Sequence, residues 1–209
     1  AATTALRLPM DSPRVEVTPS PTLAREKHFA EIFFTDVQVP VENRLGAEGE
    51  GWKVTVSALA NERSSIGEVT QMFSKLDELK DLVKSTRVQG KPAAEDPAVR
   101  RQLARFETKI AAMKYNGLRY LTKQIKGEPL SSETSVNKLH RASLEIEMDD
   151  FAVSLSGEAG LQLKGGENAV GGGSWSKSAL NWPNVVIGGG TPNIQRNIIA
   201  ERILGLPKD

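Results

Sequence analysis

Leu59-Ala60-Asn61-Glu62-Arg63-Ser64-Ser65-Ile66-Gly67-Glu68-Val69-Thr70-Gln71-Met72-Phe73-Ser74-Lys75-Leu76 is the stretch that decides the fold class. Leu59, Glu62, Ile66, Val69, Phe73 and Leu76 follow one another in steps of three, four, three, four and three, which is one face of an α-helix and not the alternation of a strand. Trp52 and Val56 extend the stripe backwards, so the spacing predicts one amphipathic helix from about Gly49 to about Lys84. Glu62 is the exception within it. A carboxylate on an apolar face is costly unless it is paired, because burial disfavours the ionised form. Three uses fit such a residue: a buried ion pair, with Arg63 or a residue of another helix, an end-of-bundle position that stays wet, or a general base whose pKa is raised by an apolar pocket. Pattern alone favours the two structural uses over the base.

Three more helices follow. Asp96 as N-cap with Pro97 in the first position opens the second, which carries Val99, Leu103, Phe106, Ile110, Met113, Gly117, Leu118 and Leu121 and stops near Gly127 and Pro129. A third starts around Ser131 or Ser132, with Val136, Leu139, Ser143, Ile146, Asp150 and Val153 expected on its inner face. After a Gly-rich segment from Gly165 to Gly190, Thr191-Pro192-Asn193 caps a last helix bearing Ile194, Ile198, Ile199 and Ile203. Three long helices and a shorter fourth predict an up-down four-helix bundle over 49–209. Ahead of it, Val15-Glu16-Val17 and Phe33-Phe34-Thr35-Asp36-Val37-Gln38-Val39 mix β-branched and aromatic residues between prolines, which predicts two or three strands in 1–48. So few strands cannot cover both faces of a sheet, and this part needs partners from elsewhere.

Composition removes whole classes of function. The 209 residues contain no Cys and two His, which leaves no disulfide framework or thiolate zinc site and makes an imidazole-built metal centre a poor expectation; no metal is expected. With 27 basic against 26 acidic side chains the net charge is +1, so no field for nucleic acid is expected despite a pI near 8.2. No apolar run approaches the roughly 20 residues of a membrane span, and Ala1 to Arg7 has no signal-peptide pattern, so a soluble, cytoplasmic protein is expected. Gly165-Gly166 and Gly171-Gly172-Gly173 do not spell a dinucleotide or P-loop fingerprint. Gly188-Gly189-Gly190-Thr191 is different: it runs straight into a capped helix whose free N–H groups could hold an anion, although an ordinary loop before an N-cap has the same pattern. Trp52, Trp175 and Trp182 are too scattered for a stacking platform, and His140 has no acid or Ser in a catalytic arrangement; packing roles are expected for these.

Two blocks carry a resemblance. Phe33-Phe34-Thr35-Asp36-Val37-Gln38-Val39-Pro40-Val41-Glu42-Asn43-Arg44-Leu45-Gly46 with Glu48-Gly49-Glu50-Gly51-Trp52 resembles the acyl-CoA dehydrogenase signature at the end of the middle β-domain and the start of the C-terminal helical domain. Gly189-Gly190-Thr191-Pro192-Asn193-Ile194-Gln195-Arg196-Asn197-Ile198-Ile199-Ala200-Glu201-Arg202 is similar to the final helix of that family. The resemblance implies a remnant of the β-domain in 1–48, the C-terminal bundle in 49–209, FAD as cofactor, an acyl-CoA thioester as substrate and an electron-acceptor flavoprotein. The chemistry it implies is removal of an α-proton by a carboxylate while the β-carbon loses a hydride.

Many members of the family place that carboxylate in a Tyr-Glu-Gly-Thr motif before the last helix, where this chain has Gly188, Gly189, Gly190 and Thr191. A smaller set supplies it from a Glu-Arg pair on the first helix, and Glu62-Arg63 stands at that place. The stripe and the resemblance therefore meet on Glu62 as the base. By the same resemblance Arg63 and Gly190 face the substrate, Thr191 and Asn193 face FAD, and Arg87 is the nearest match to an Arg-x-x-Phe-Gly element that reaches a neighbouring subunit's flavin, although Val88-Gln89-Gly90 follow it. The third helix has Ser154-Leu155-Ser156-Gly157-Glu158 where relatives have Gln-x-x-Gly-Gly. These departures resemble actinobacterial members that work as mixed oligomers on bulky acyl-CoAs. Three readings result: a C-terminal half, a subunit of a homo- or hetero-oligomer whose partner chain supplies the N-terminal domain, or a non-catalytic interaction module.

Overall fold

The computed structural model describes residues 2–62, 66–128 and 132–208, the side chains of 59–62, 66 and 67 excepted. The chain divides into two compact units, 1–62 and 63–209. That boundary lies inside the long helix expected from the sequence, and two helices, α1 (Gly51–Glu62) and α2 (Ile66–Ser85), stand on either side of 63–65.

In the N-terminal unit, β1 (Ala5–Leu6) pairs antiparallel with β4 (Arg44–Leu45), and β2 (Val15–Ser20) pairs with β3 (Phe29–Phe34). The expected extension to Val39 does not form. Asp36 takes φ +49°, which turns the chain out of extended geometry after Phe34. α1 starts where Gly51 N donates to Thr3 O at 2.7 Å, an approach that leaves a Cβ at residue 51 no room, 2.8 Å from that same oxygen. Register puts Val15, Val17 and Pro19 opposite Phe34, Ile32 and Ala30, so one face of the β2–β3 ribbon is wholly apolar. Every residue of β3 is exposed, Phe34 at 59% and Phe33 at 52%.

The helical unit is built on three long helices. α2 leads through a small hairpin, β5 (Arg87–Val88) with β6 (Lys91–Pro92), into α3 (Pro97–Ile125), and α4 (Thr134–Ser156) follows. Asp96 caps α3 as expected, its Oδ1 accepting from Ala98 N at 2.6 Å and Val99 N at 3.4 Å. Lys109 pairs with Glu147, Asn116 with Asn137 and Lys123 with Glu133, so α3 and α4 run antiparallel. Glu68 pairs with Arg141 and Lys75 with Asp149, so α2 and α4 run parallel. The topology is up, down, up. Leu76, Leu79, Phe106, Ile110, Met113, Leu144, Met148 and Trp175 fill the core between them, each worth about 1.5–3 kcal/mol of transfer free energy.

Two inner faces differ from expectation. On α3 the buried row is Val99, Phe106, Ile110, Met113, Gly117 and Tyr120, while Leu118 and Leu121 are exposed. Tyr120 stays in the row because its hydroxyl donates to Glu133 O at 2.7 Å, which satisfies the one polar atom it buries. On α4, Ser143 and Asp150 are exposed, and the core side is Ser135, Ala142, Leu144, Met148, Asp149 and Ala152. Asp149 is tolerated there because it is bonded to Lys75 and Ser178.

The Gly-rich region is more ordered than a loop. Ser174–Leu180 forms α5 and Trp182–Ile187 forms α6, both packed on α4, with Trp175 in the core. α7 (Pro192–Ile198) begins at the expected Thr191 cap and continues through a π-turn, Ile199–Ile203, also against α4.

Candidate functional site

The Gly188–Thr191 loop is built by the end of one helix and the start of another. Gly188 N donates to Asn184 O at 2.8 Å and closes α6; Gly190 N donates back to Ile187 O at 3.1 Å. Gly189 has φ +68° and Gly190 φ +104°, backbone that side chains rarely adopt, and a Cβ at residue 190 would lie 2.6 Å from Gln195 Nε2. Thr191 then caps α7, its Oγ1 accepting from Ile194 N at 3.4 Å, and Asn193 Oδ1 accepts from Arg196 Nη1 at 3.2 Å. Gly190, Thr191 and Asn193 are thus held together as one short segment free of bulky side chains over 188–190. Such a segment lets a ligand approach the backbone closely.

Arg87 lies elsewhere, in the β5–β6 hairpin, where its Nη1 donates to Gly90 O at 3.0 Å. Among the described residues, no hydrogen bond or ion pair joins Arg87 to the 188–193 segment. Glu62 is the last residue of α1, and its side chain falls outside the described residues, as does the whole of Arg63. No group of three or more His, Asp or Glu that could hold a metal is present among the described residues.

Sequence reasoning missed a polar cluster on the inner side of α4. Lys75 Nζ lies 2.8 Å from Asp149 Oδ1 and 3.6 Å from Glu145 Oε1, and donates to Ser178 Oγ at 2.9 Å; Ser178 Oγ donates in turn to Asp149 Oδ2 at 2.8 Å. Trp175 sits beneath the ammonium, 5.8 Å from ring centroid to Nζ. Burial pushes the Asp149 carboxyl above its ordinary value, and the Lys75 charge offsets only part of that. An open cleft of about 660 Å³ adjoins the cluster, lined by Thr70, Gln71, Ser74, Lys75, Trp175 and Ser178 among others. Asp149, at 2% exposure, is not among its lining residues. Bonded to Lys75 and Ser178, Asp149 joins α2, α4 and α5. No sequence signal marked it, since it stands one residue from the exposed Asp150.

Of the residues expected to pack, Trp175 is in the core and His140 is half-buried, whereas Trp52 and Trp182 are exposed. Burial, helped by the Lys109 charge, lowers the His140 pKa from 6.5, with Glu147 opposing.

Known proteins match both halves of this description. The family model for the acyl-CoA dehydrogenase C-terminal domain matches residues 49–204. The acyl-CoA dehydrogenase IpdE1 of Mycolicibacterium smegmatis is 34% identical over 206 residues, 98% of this chain and 49% of that protein. IpdE1 of Mycobacterium tuberculosis is 32% identical over 98% of this chain and 51% of its own length. Among solved structures, the ChsE4-ChsE5 complex from Mycobacterium tuberculosis superimposes with TM-score 0.84 at 26% identity, over 99% of this chain and 54% of that one. The chain spans about half the length of the curated relatives it matches. A domain model covering most of the sequence, relatives aligned almost end to end and a shared helical architecture place the chain in the acyl-CoA dehydrogenase family.

Proposed function

We propose that this chain forms the C-terminal part of an FAD-dependent acyl-CoA dehydrogenase, divided into a β-domain remnant at 1–48 and the bundle at 49–209, and that Glu62 is its base. The observation that carries the reading is the Gly188–Thr191 loop. Both Gly189 and Gly190 adopt left-handed backbone, and neither position holds a carboxylate. Proton abstraction from the α-carbon of a thioester therefore needs its base from another element, and Glu62, on the apolar stripe and followed by Arg63, is the carboxylate that the resemblance marks. An apolar pocket, dried further by a bound acyl chain, would raise the Glu62 pKa toward the range useful for taking that proton. Arg63 and the Gly190 backbone would orient the thioester, while Thr191 and Asn193 would hold the cofactor, with Arg87 reaching it across a subunit boundary. FAD, when bound, supplies the acceptor for the hydride. An electron-transferring flavoprotein would reoxidise the enzyme, in the cytoplasm.

The apolar β2–β3 face supports a complete site made from more protein than this sequence contains. Its residues Val17, Ile32 and Phe34 are all exposed, and a two-stranded ribbon is marginal without cover. A homo- or hetero-oligomer with a chain supplying N-terminal segments meets that need, and a complex of two named components, ChsE4-ChsE5, is among the similar structures. The alternative, a non-catalytic interaction module, is favoured by one feature: Tyr115, Leu118 and Ile125 are exposed on α3.

The deciding experiment uses the native assembly, isolated from its source. It should be yellow, reduce an electron acceptor with acyl-CoA, and lose α-proton exchange in Glu62→Gln while acyl-CoA binding persists. Full exchange in the variant sinks Glu62 as base. A colourless native assembly that ignores acyl-CoA favours the module.

A further inference from the structure

We infer that Lys138 and Gln195 act as a two-sided clamp that fixes the Gly188–Thr191 loop in its ligand-receiving shape. The inference deepens the reading above, since it rests on that loop facing FAD and acyl-CoA. Gln195 is fully buried on α7, and its Nε2 donates to Gly189 O at 2.8 Å and reaches Gly190 O at 3.5 Å. Turning the amide over would set its Oε1 against those carbonyl oxygens, so the orientation is determined by the loop it holds. From the other side comes α4. Lys138 Nζ donates to Val185 O at 2.9 Å near the end of α6, and its stem passes so close to Gly189 that a Cβ there would lie 3.2 Å from Lys138 Cε.

The two contacts are complementary. One tethers the loop's carbonyl groups from the helix that follows it; the other ties down the helix that precedes it and occupies the space a residue-189 side chain would need. Both residues act through backbone and neither needs to touch substrate, so they are positioning residues. The Lys138 ammonium loses solvation in this place, and its pKa is lowered, chiefly by burial and then by the Arg141 charge, with Glu68 and Glu145 opposing. A lysine held there against solvation is consistent with a specific tether.

The test reads loop order and ligand affinity separately. Lys138→Met keeps the stem and removes the donor; Lys138→Arg restores a donor; Gln195→Leu removes the other tether. In the purified chain, amide exchange across 183–193 should speed up by roughly five- to tenfold in Lys138→Met and Gln195→Leu, the worth of one lost hydrogen bond. It should return toward wild type in Lys138→Arg, with the far-UV spectrum and the melting temperature of the bundle kept. Should Gln195→Leu fail to fold, the Lys138 pair decides. Unchanged exchange in Lys138→Met overturns the clamp. In the native assembly, FAD titration should weaken by a similar factor in the same variants; faster exchange with unaltered FAD affinity overturns the link from clamp to ligand. A wild-type assembly that binds no FAD defeats the proposed function, and the exchange result then still decides whether the clamp exists.

Discussion

The β2–β3 ribbon and the α2–α3–α4 bundle use the same kinds of side chain to opposite effect. Phe106 on α3 is fully buried and stacks edge-on to Phe151 at 5.8 Å between ring centroids, while Phe33 and Phe34 on β3 are more than half exposed. The difference lies in the number of covering surfaces. A helix in the bundle meets neighbours on one stripe and leaves its other side to water, so three helices satisfy one another. A two-stranded ribbon has two faces and two edges, and nothing in its own sequence covers them. The bundle therefore covers a core of its own, while the ribbon leaves its apolar face exposed.

Substitutions sharpen that contrast, and the largest effect belongs to the core. Phe106→Ala should destabilise the bundle by about 3–5 kcal/mol in chemical denaturation, through lost transfer energy and the cavity left behind. Next comes the buried polar cluster. Lys75→Met strands Asp149 and should cost about 3 kcal/mol, whereas removing both partners by Lys75→Met with Asp149→Leu should cost less than the sum of the single changes, measured in a double-mutant cycle. In the ribbon, Phe34→Ser should shift the stability of the isolated chain by no more than about 0.5 kcal/mol yet weaken the native assembly, seen as a lower-mass species in analytical ultracentrifugation. Loss of stability there comparable to Phe106→Ala would erase the distinction between the two regions.

The smallest effect is a pH dependence. His140 has its folded-state pKa lowered from 6.5, so protonation favours the unfolded chain. Its contribution to stability is present above about pH 6.5 and declines as pH falls from there through the lowered native value. His140→Gln should flatten that part of the stability curve without altering the plateau at higher pH, and an unchanged slope between pH 6.5 and 5 rules the assignment out.

Much of the bundle is legible in the residues themselves. Asp96-Pro97 and Thr191-Pro192 mark helix starts because a capping oxygen and a proline in the first turn are local chemistry, and both caps form. The inner face of α4 was not legible. Ser135, Ala142 and Asp149 lie inside beside Leu144 and Met148 while Ile146 is only half-buried, because apolar residues stand on more than one side of this helix and small or charged residues interrupt the buried row. The short helices α5 and α6 were hidden for another reason: at seven and six residues they do not nucleate on their own and owe their form to packing on α4.

The site divides in the same way. Thr191 as a cap and Gly188–Gly190 as a loop could be read in order along the chain, and Glu62 could be singled out from its place in a stripe. Lys138 and Gln195 could not, since one stands 51 residues before Gly189 in sequence and the other looks like any polar residue in a helix.

Sequence alone determined where α3 and α7 begin, which class of fold the helices build, the family they belong to and the carboxylate most in need of an explanation. Those are properties of neighbours along the chain, fixed by backbone capping and by a periodicity of 3.6. Tertiary structure decided which face of α4 is inside, that Asp149 is spent on Lys75 and Ser178, and that the glycine loop is held from two sides. Those depend on which groups meet across space, where desolvation and hydrogen bonding act on pairs that no local pattern records.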